Sequence, residues 1–562
     1  MTVPALTLMT ATANAQPKAA LGWRPAVALA VLAVWLAVPG NVSLWMAVWD
    51  HTAGLGMRAW WVMLAWAVAL VGVNLAVLAL LAAGPVRRPL GLVFIILVAI
   101  PSYFMLAYGV VIDGAMVTNV LETDLRESAD LLTPALGVVV VGGVLLPGWL
   151  WWRLAARPWS RRRALAWRAA LAVGGLVLAA LALWLTFADL ASLMRNDRGL
   201  RYRINPYNTI YGVVHYAAGR LPAAGASTPL LPVGADVQPL PAAPRADEAP
   251  LVLLVVGETA RAANVSLGGY PRATMPRLAA LQARGELVYF AQTTSCGTDT
   301  ATSVPCLFSP DGRDARTPPQ RQENLLDVWQ RAGLAVTWLD NQSGCKGVCN
   351  RVPTRHTDRL GLPDLCRGDE CWDEVLLREL PSALAALDPA RRRVGTVAVL
   401  HMMGSHGPAY YKRTPPAFKP FRPECTNNQL QACDRQAIVN AYDNTLYYTD
   451  HVLAELIEWL RARPGPTALW YVSDHGESLG EGGVYLHGMP YALAPREQTH
   501  VPMLVWANEA MRERLGLSWE CLQRRAVKPA SHDDVFHTLL GVWDIRTHAY
   551  RPERDLLRAC RS

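Results

Sequence analysis

The sequence predicts two unlike parts, an α-helical membrane domain with five spans and a soluble α/β domain. With 562 residues, 52% hydrophobic content and a mean hydropathy of +0.16, the chain is too long for one domain and too apolar for an ordinary soluble protein. The long apolar runs end near residue 187, and every cysteine lies beyond them. We therefore expect a membrane domain over 1–190, interfacial helices and a proline-rich linker over 191–249, and a folded domain over 250–562.

Five apolar stretches in the first part are long enough to cross a bilayer, for which a helix needs about 20 apolar residues. They cover residues 25–48, 59–83, 89–112, 135–152 and 165–187. Pro39 and Gly40 interrupt the first stretch, which predicts a kink or an early end there. The segment before it lacks the basic start and long apolar centre of a signal peptide, so we interpret it as a short cytoplasmic tail.

Charged residues between the spans predict their orientation. Arg87, Arg88 and a cluster of arginines from Arg153 to Arg168 mark one side, which the positive-inside rule assigns to the cytoplasm. The loop between the third and fourth spans is acidic instead, from Asp113 to Asp130. An odd number of spans then delivers the C-terminal domain to the outer side. The net charge of +8 therefore does not indicate a nucleic-acid partner, because much of it is arginine in cytoplasmic loops.

The cysteines indicate an oxidising compartment for the second part. Eight of the ten form four close pairs in sequence, without zinc-finger spacing, which is typical of small disulfide-closed loops. These pairs are Cys296 with Cys306, Cys345 with Cys349, Cys366 with Cys371, and Cys425 with Cys433. Cys521 and Cys560 remain as a fifth pair only by elimination. The charge pattern and the cysteines thus agree, because both predict that the C-terminal domain lies on the outer side of the membrane.

Between the two parts, the sequence predicts surface helices and a tether. The segment after the fifth span is rich in Tyr and Arg and too polar to cross a bilayer, so we expect it at the membrane surface. The stretch from Leu221 to Pro250 contains seven prolines, which predicts a semi-rigid extended tether.

Short apolar runs alternate with helix-like segments from Pro250 onward. This alternation predicts an α/β domain with a largely parallel sheet. The runs cover residues 251–256, 334–339, 394–400, 468–473 and 501–507. In such sheets the reactive crevice lies beyond the carboxyl ends of the strands, so the polar residues that follow the runs are candidate site residues.

Three of these runs end in possible metal ligands. Glu258 follows the first run, Asp474 and His475 follow the fourth, and His401 and His406 end or follow the third. Carboxylates combined with imidazole suit a divalent ion, and the imidazole favours zinc or manganese over magnesium or calcium. The sequence therefore predicts a divalent metal site at one edge of the sheet.

A nucleophile is expected in the segment TTSCGTDTATSVPCLF. A hydroxyl near a helix N-terminus gains backbone donors and the positive end of the helix dipole for a phosphate. The spacing does not choose among the candidate hydroxyls, which belong to Ser295, Thr298, Thr300, Thr302 and Ser303.

Several long motifs resemble one known family. They include VVGETARAANVSLGGYPRATMPRL, SCGTDTATSVPCLFS, DNQSGCKGVCNR, LHMMGSHGPAYYKR, YVSDHGESLGEGGVYLHGMPYALAP and THVPMLVW. The chain resembles the phosphoethanolamine transferases that modify lipid A, the group that includes the polymyxin-resistance enzymes. The resemblance implies a soluble domain of the alkaline phosphatase and sulfatase type.

The resemblance also implies roles for individual residues. It implies that Thr298 is the nucleophile and that Glu258, Thr298, Asp474 and His475 hold a catalytic Zn²⁺. Further residues are implied to bind substrate or a second metal, or to contact the headgroup of the donor lipid: His406, His487, Lys346, Asn119 and Glu127. The chain departs from the family at Gln342, where a second asparagine is common, so we leave Gln342 outside the predicted site.

The implied reaction takes phosphoethanolamine from phosphatidylethanolamine onto Thr298 and then onto a phosphate of lipid A. It would lower the negative charge of the surface and give polymyxin resistance. The implied location is the inner membrane, with a cytoplasmic N-terminus and a periplasmic catalytic domain among membrane lipids, and we expect a monomer.

Three other functions are compatible with parts of the sequence. A sugar of the lipooligosaccharide core or another glycan is an alternative acceptor, because the motifs serve the chemistry more than the choice of acceptor. A membrane-anchored sulfatase or phosphatase would share the fold, although CGTDT lacks the C-x-P-S-R modification site of sulfatases. An anchored binding domain without activity is the third, and the complete set of candidate ligands argues against it.

Overall fold

The computed structural model describes residues 25–122, 125–153, 161–197, 199–220, 230–315, 321–358, 360–367 and 370–562. The chain forms two compact units. The first extends to Ser102 and also contains Val138–Leu200 and Ile204–Pro206. The second contains Tyr103–Gly137, Arg201–Arg203 and the chain from Tyr207 onward.

Among the described residues, five helices are long and apolar enough to cross a membrane, as predicted. They cover Ala26–Leu55, Met57–Leu81, Gly84–Tyr108, Pro134–Arg153 and Arg162–Leu185. Their α-helical parts are Pro25–Ala37, Val42–Thr52, Met57–Leu81, Arg87–Tyr108, Pro134–Val139, Leu146–Arg153 and Arg161–Leu185, and the shorter helix Phe187–Asn196 follows. A 3-10 turn over Pro39–Asn41 breaks the first span at the predicted place.

Within the first unit, small residues let the second and fifth spans approach closely. A Cβ atom at Gly72 would lie 2.4 Å from the carbonyl oxygen of Gly175. The Arg168 Nε donates a hydrogen bond of 2.7 Å to the carbonyl of Ala79 near the end of the second span. Because lipid tails are as apolar as the helices, close packing of this kind is what holds membrane helices together.

The second unit is built on a mixed sheet that confirms the five predicted runs as strands. In chain order the strands are β1 Leu251–Gly257, β2 Leu287–Thr294, β3 Ala335–Asp340, β4 Thr354–His356, β5 Cys366–Arg367, β6 Glu370–Cys371, β7 Thr396–His401, β8 Thr467–Ser473, β9 Ser478–Glu481, β10 Val484–Leu486, β11 His500–Ala507 and β12 Ala530–Ser531. The large sheet has the order β12-β2-β11-β8-β1-β7-β3-β4. Strands β8, β1, β7, β3 and β4 run parallel, whereas β11 pairs antiparallel with β2 and β8.

Helices cover both faces of this sheet. Alternate residues of β1 point to opposite faces, so that Leu253 belongs to one hydrophobic core and Leu254 to the other. Strands buried on both faces are typical of parallel sheets, and this explains the continuous apolar run of β1. The helices of this unit are Gly114–Glu122, Leu125–Asp130, Tyr207–Arg220, Pro276–Ala283, Thr300–Leu307, Leu325–Arg331, Glu374–Ala385, Pro389–Val394, Arg435–Arg461, Arg496–Thr499, Glu509–Arg514, Trp519–Arg525 and Val535–Val542.

All four predicted local disulfides are present, together with a bond between Cys521 and Cys560. Two of them flank candidate site segments. The Cys296–Cys306 bond joins the turn before helix Thr300–Leu307 to that helix, and the Cys345–Cys349 bond closes the loop that carries Lys346.

Two features differ from the predicted organisation. The described part of the proline-rich linker is not a free tether, because Val233 and Val237 are buried in the core of the second unit and Leu240 donates a backbone hydrogen bond of 2.9 Å to Ala332. The segment Tyr103–Gly137, predicted as part of the membrane domain, belongs to the second compact unit. Ion pairs of Asp130 with Lys412 and Arg413 attach it to that unit.

Candidate active site

The carboxyl ends of β1 and β8 bring the predicted ligands together. Gly257 of β1 pairs with Ser473 of β8, so Glu258 and Asp474 follow at neighbouring positions of the same sheet edge. One ligand atom each from Glu258, Asp474 and His475 lies within 4.8 Å of the others. All three side chains are fully buried. The structure therefore confirms that these three residues form one cluster, although their role stays a prediction.

The donor atoms of this cluster fit a divalent cation. Asp474 Oδ1 accepts backbone hydrogen bonds from Thr259 and His475, at 3.2 and 2.7 Å, which fixes the carboxylate and leaves its other oxygen toward the cluster. Within the described part of the chain, neither Asp474 Oδ2 nor Glu258 Oε1 has a hydrogen-bond partner. Buried carboxylate oxygens without donors are costly unless a cation neutralises them. Two carboxylates and one imidazole form a donor set that suits zinc.

The tautomer of His475 also suits metal binding. Its Nδ1 lies 2.9 Å from the carbonyl oxygen of Gly476, which can only accept, so Nδ1 carries the hydrogen. Its Nε2 lies 3.4 Å from both Glu258 Oε1 and Asp474 Oδ2. Burial lowers the pKa of His475, but the charges of Asp474 and Glu258 outweigh burial and raise that pKa to about 10. Burial and the charge of Glu258 raise the pKa of Asp474 to about 7. The cluster thus requires positive charge, from protons or from an ion.

The hydroxyl that reaches this cluster belongs to Thr300. Thr300 is the first residue of helix Thr300–Leu307, whose start is capped by the Asp299 side chain at 2.9 Å from the Thr302 nitrogen. Thr300 Oγ1 donates to Glu258 Oε2 at 3.1 Å and lies 3.3 Å from His475 Nε2. The Thr300 hydroxyl therefore lies beside the candidate metal ligands and at the N-terminus of a helix, where the helix dipole is positive.

Thr298, which the resemblance implies to be the nucleophile, does not occupy this position. Its hydroxyl donates to the carbonyl of Met489 at 2.6 Å, and its own carbonyl accepts a hydrogen bond of 2.8 Å from Gly488. These bonds tie the turn before the helix to the loop that follows His487. Thr298 thus connects two segments of the site, whereas its hydroxyl hydrogen is directed at a backbone carbonyl.

His406 and His487 lie beside the cluster. Their ring centroids are 5.5 Å apart, and the ring of His487 is 4.5 Å from that of His475. Burial lowers the pKa of His406 to about 3, so this imidazole is neutral at physiological pH. Burial also lowers the pKa of His487, but Glu477, 2.8 Å from its Nδ1, outweighs burial and raises that pKa. The pKa values of the two histidines are therefore shifted in opposite directions, as those of an acid and a base in one site commonly are.

Gln342, which the resemblance left outside the site, contacts a predicted ligand directly. Its Nε2 donates to Glu258 Oε2 at 3.1 Å, and its Oε1 accepts from the Ser343 hydroxyl at 2.6 Å. Ser343 Oγ in turn accepts from Lys346 Nζ at 2.9 Å. A continuous chain of hydrogen bonds thus connects Lys346 to Glu258. In the sequence, the signal for this residue was that Gln342 stands where the family commonly has a second asparagine.

We expect the substitution Gln342→Leu to lower the rate of the transfer reaction that the resemblance implies by about tenfold, because residues that orient a metal ligand typically contribute 10- to 100-fold. The leucine keeps the volume but cannot donate to Glu258 or accept from Ser343. The exposed Gln238, changed to Leu, is the matched control. The assay compares initial rates and bound zinc per protein. An unchanged rate with unchanged zinc would show that the amide is not needed.

A cavity of about 270 Å³ adjoins these residues. One wall is apolar and comes from the segment after the third span, including Ile112 and Met116, while the polar end presents Thr300, Lys346 and His487. Asn119 also lines the cavity, and its implied contact with the headgroup of the donor lipid stays a prediction. The side chain of Glu127 lies outside the described residues. The cavity therefore combines an apolar wall with a polar, reactive end.

The remaining candidate ligand, His401, lies behind the cluster. It is fully buried, and its Nδ1 is 3.2 Å from Asp340 Oδ2, which also accepts a bond of 2.7 Å from the indole of Trp338. Burial lowers the pKa of His401, and the charge of Asp340 outweighs burial and raises it. His401 does not belong to the ligand cluster found among the described residues.

The fold and the site together define a protein of the sulfatase type, with ligands at the carboxyl ends of parallel strands and a hydroxyl at a helix start. In agreement, a family model described as Sulfatase matches residues 250–545. A second family model, described as Phosphoethanolamine transferase EptA/EptB, matches residues 70–221.

The chain belongs to the phosphoethanolamine transferase family. It is 42% identical over 485 residues to phosphoethanolamine transferase EptA of Escherichia coli strain K12, covering 84% of this chain and 86% of that protein. The integral membrane protein lipooligosaccharide phosphoethanolamine transferase A (EptA) of Neisseria meningitidis superimposes with a TM-score of 0.90 at 36% identity, covering 95% of this chain and 98% of that one. The soluble domain of the same Neisseria protein matches with a TM-score of 0.57 at 44% identity, covering 60% of this chain and all of that domain.

Proposed function

We propose that this protein transfers phosphoethanolamine from phosphatidylethanolamine to a phosphate group of lipid A, through a covalent intermediate on Thr300. The observation that carries the proposal is the placement of the Thr300 hydroxyl, 3.1 Å from Glu258 Oε2 and 3.3 Å from His475 Nε2, at the polar end of a cavity with an apolar wall. The substrate class is supported by the names of the relatives, which are phosphoethanolamine transferases and, in some cases, name lipid A or lipooligosaccharide.

The cavity suits the headgroup end of a phospholipid. Small-molecule sites usually measure about 300–1,000 Å³, so a cavity of about 270 Å³ holds a headgroup and glycerol but not two acyl chains. The apolar wall, with Val110, Ile112 and Met116, faces the glycerol and the first carbons of the chains. Lys346 at the polar end supplies a positive charge for the donor phosphate.

Glu258, Asp474 and His475, with Thr300, are the residues that would hold a zinc ion. When bound, such an ion polarises phosphoryl oxygens and lowers the pKa of a nearby hydroxyl. The bond from Thr300 to Glu258 orients the hydroxyl, because its hydrogen points to Glu258 and a lone pair remains for the substrate. The helix N-terminus at Thr300 adds backbone dipoles that favour negative charge at this point.

In the first step Thr300 Oγ1 attacks the phosphorus of the donor and its hydroxyl proton passes to water. The bond from phosphorus to the glycerol oxygen breaks, and diacylglycerol leaves with a proton from His487. His487 is suited to this role because Glu477 holds its pKa above the usual value. A protonated group near its working pH is an effective general acid.

In the second step a phosphate oxygen of lipid A attacks the phosphorus held on Thr300. The Thr300 oxygen leaves and recovers a proton from water, and the proton of the acceptor phosphate returns to His487. Neutral His406 offers a hydrogen-bonding partner for the acceptor on the same side of the cavity. Both protons are thus restored at the end of a cycle.

We place the protein in the inner membrane with the second unit in the periplasm. Three observations support this orientation: the five spans, the arginines concentrated between the fourth and fifth spans, and the five disulfides in the second unit. Both substrates are lipids, so a membrane-anchored site meets them in two dimensions. The added ethanolamine cation reduces the negative character of lipid A, which weakens the binding of cationic polymyxins.

The purified full-length protein, loaded with zinc and mixed with phosphatidylethanolamine and lipid A, is expected to produce diacylglycerol and phosphoethanolamine-modified lipid A in equal amounts. Thin-layer chromatography quantifies the first product and mass spectrometry the second. A reaction without lipid A is the control and should produce at most one diacylglycerol per protein. Continued release of free phosphoethanolamine without acceptor would identify a hydrolase instead, and modification confined to the core sugars would identify a different acceptor.

A further inference from the structure

We propose that Asp130 is a positioning residue for the donor lipid, which fixes the segment Tyr103–Gly137 against the loop that carries His406. This inference rests on the proposed function, because it concerns the cavity in which the donor lipid would bind. The segment supplies the apolar wall of that cavity, and the His406 loop supplies part of its polar end. The account of the reaction assigns Asp130 no role.

Arg413 connects the two elements through one buried guanidinium group. Its side chain is 2% exposed. Its Nη2 lies 3.0 Å from Asp130 Oδ2, its Nη1 lies 2.6 Å from Glu370 Oε2, and its Nε donates to the carbonyl of His406 at 3.0 Å. Each of the three nitrogens thus contacts a different segment, and one of these segments carries a histidine of the site.

Asp130 is the point at which several partners converge. Its side chain is only 5% exposed and, besides Arg413, it contacts the ammonium group of Lys412. The Asn428 amide, in the loop closed by the Cys425–Cys433 disulfide, donates to the Asp130 carbonyl at 2.9 Å and to its Oδ1 at 3.3 Å. A buried carboxylate with this many donors is held firmly in one position.

The position of the segment decides the shape of the cavity. Between Asp130 and the third span, Ile112, Met116 and Asn119 all line it. Two close approaches show how little space separates the segment from the loop of His487: a Cβ atom at Gly488 would lie 2.8 Å from Met116 Cε, and one at Gly109 would lie 2.4 Å from the Gly483 oxygen.

The metal cluster is held independently of this anchor. Glu258 and Asp474 follow β1 and β8, whose backbones are paired along their whole length. Loss of the Asp130 contacts therefore moves the wall that receives the lipid while the reactive end keeps its geometry. A contact of this kind affects use of a lipid donor more than use of a small donor that needs no apolar wall.

The test compares two donors with the zinc-loaded full-length protein and its variant Asp130→Asn, which keeps the shape but removes the charge. One donor is phosphatidylethanolamine in mixed micelles, and the other is p-nitrophenyl phosphoethanolamine, which has the headgroup but no acyl chains. We expect the KM for the lipid to rise by at least about tenfold, since unpairing a buried Arg is costly. The kcat/KM for the small donor should stay within about twofold, because Glu258 and Asp474 are positioned by the paired strands β1 and β8 and not by Asp130.

Three further variants make the result decisive. Asn428→Asp places a like charge beside Asp130 and should reproduce the effect, whereas the double variant Asp130→Asn with Asn428→Asp restores one amide-to-carboxylate bond and should recover part of the lipid KM. Asp364→Asn removes a similar but exposed partner of Arg378 and is the matched control. Equal losses on both donors, or an unchanged lipid KM, would overturn the inference. A wild-type protein that uses neither donor would instead overturn the proposed function.

Discussion

The substitution Thr300→Ala is expected to lower phosphoethanolamine transfer by about 10³-fold or more, because it removes the attacking oxygen itself. The alanine keeps the helix start, since the Asp299 cap bonds Thr302 and not residue 300. Transfer is measured as modified lipid A formed per minute by the zinc-loaded, full-length protein. Far-ultraviolet circular dichroism and zinc content establish that the variant is folded.

Two controls separate this role from a structural one. Thr300→Ser keeps a hydroxyl at the same place and should retain measurable transfer. Thr298→Val removes the bond to Met489 but no reacting atom, so it should reduce transfer by about tenfold or less. If Thr298→Val were inactive while Thr300→Ala remained active, the assignment would return to Thr298.

Removal of the metal is expected to abolish transfer and to destabilise the second unit. A ligand that binds only the folded state at 1,000 times its Kd stabilises it by about 4 kcal/mol. Without an ion, the buried carboxylates of Glu258 and Asp474, each with an oxygen 3.4 Å from His475 Nε2, would repel one another. Dialysis against a chelator should therefore lower the Tm, and added zinc should restore both the Tm and the activity.

The variant Asp474→Asn is the partner experiment for metal removal. It keeps the shape of the side chain but removes a negative charge from the cluster, so the amount of bound zinc per protein should fall. A chelator should then lower the Tm of this variant much less than the Tm of the wild type. The exposed Asp364, changed to Asn, should behave like the wild type in both measurements. A chelator-resistant activity, or full zinc content in Asp474→Asn, would contradict the proposed site.

Most of the architecture could be predicted because simple periodicities determine it. The length of an apolar stretch is sufficient to recognise a spanning helix, and the strands were recognisable as short, continuous apolar runs. The ends of these runs then located Glu258, Asp474 and His475, since parallel strands end at one edge. The fifth disulfide, between Cys521 and Cys560, joins residues 39 apart and had no local signal.

The choice between Thr298 and Thr300 could not be made from spacing. The two residues are only two apart, but the helix begins between them, and the direction of a side chain depends on the backbone angles at that turn. The grouping of segment Tyr103–Gly137 with the second unit was also missed. It depends on Asp130 meeting Arg413, 283 residues later, and a contact at that distance leaves no periodic pattern.

Trapping the covalent intermediate tests the central claim most directly. The zinc-loaded, full-length protein is incubated with phosphatidylethanolamine in the absence of lipid A, quenched in acid, digested and analysed by tandem mass spectrometry. We predict phosphoethanolamine on the peptide that contains Thr300, with fragment ions that place it on Thr300, and its loss when lipid A is added before quenching. An adduct on Thr298, or no adduct while transfer to lipid A proceeds, would contradict the account.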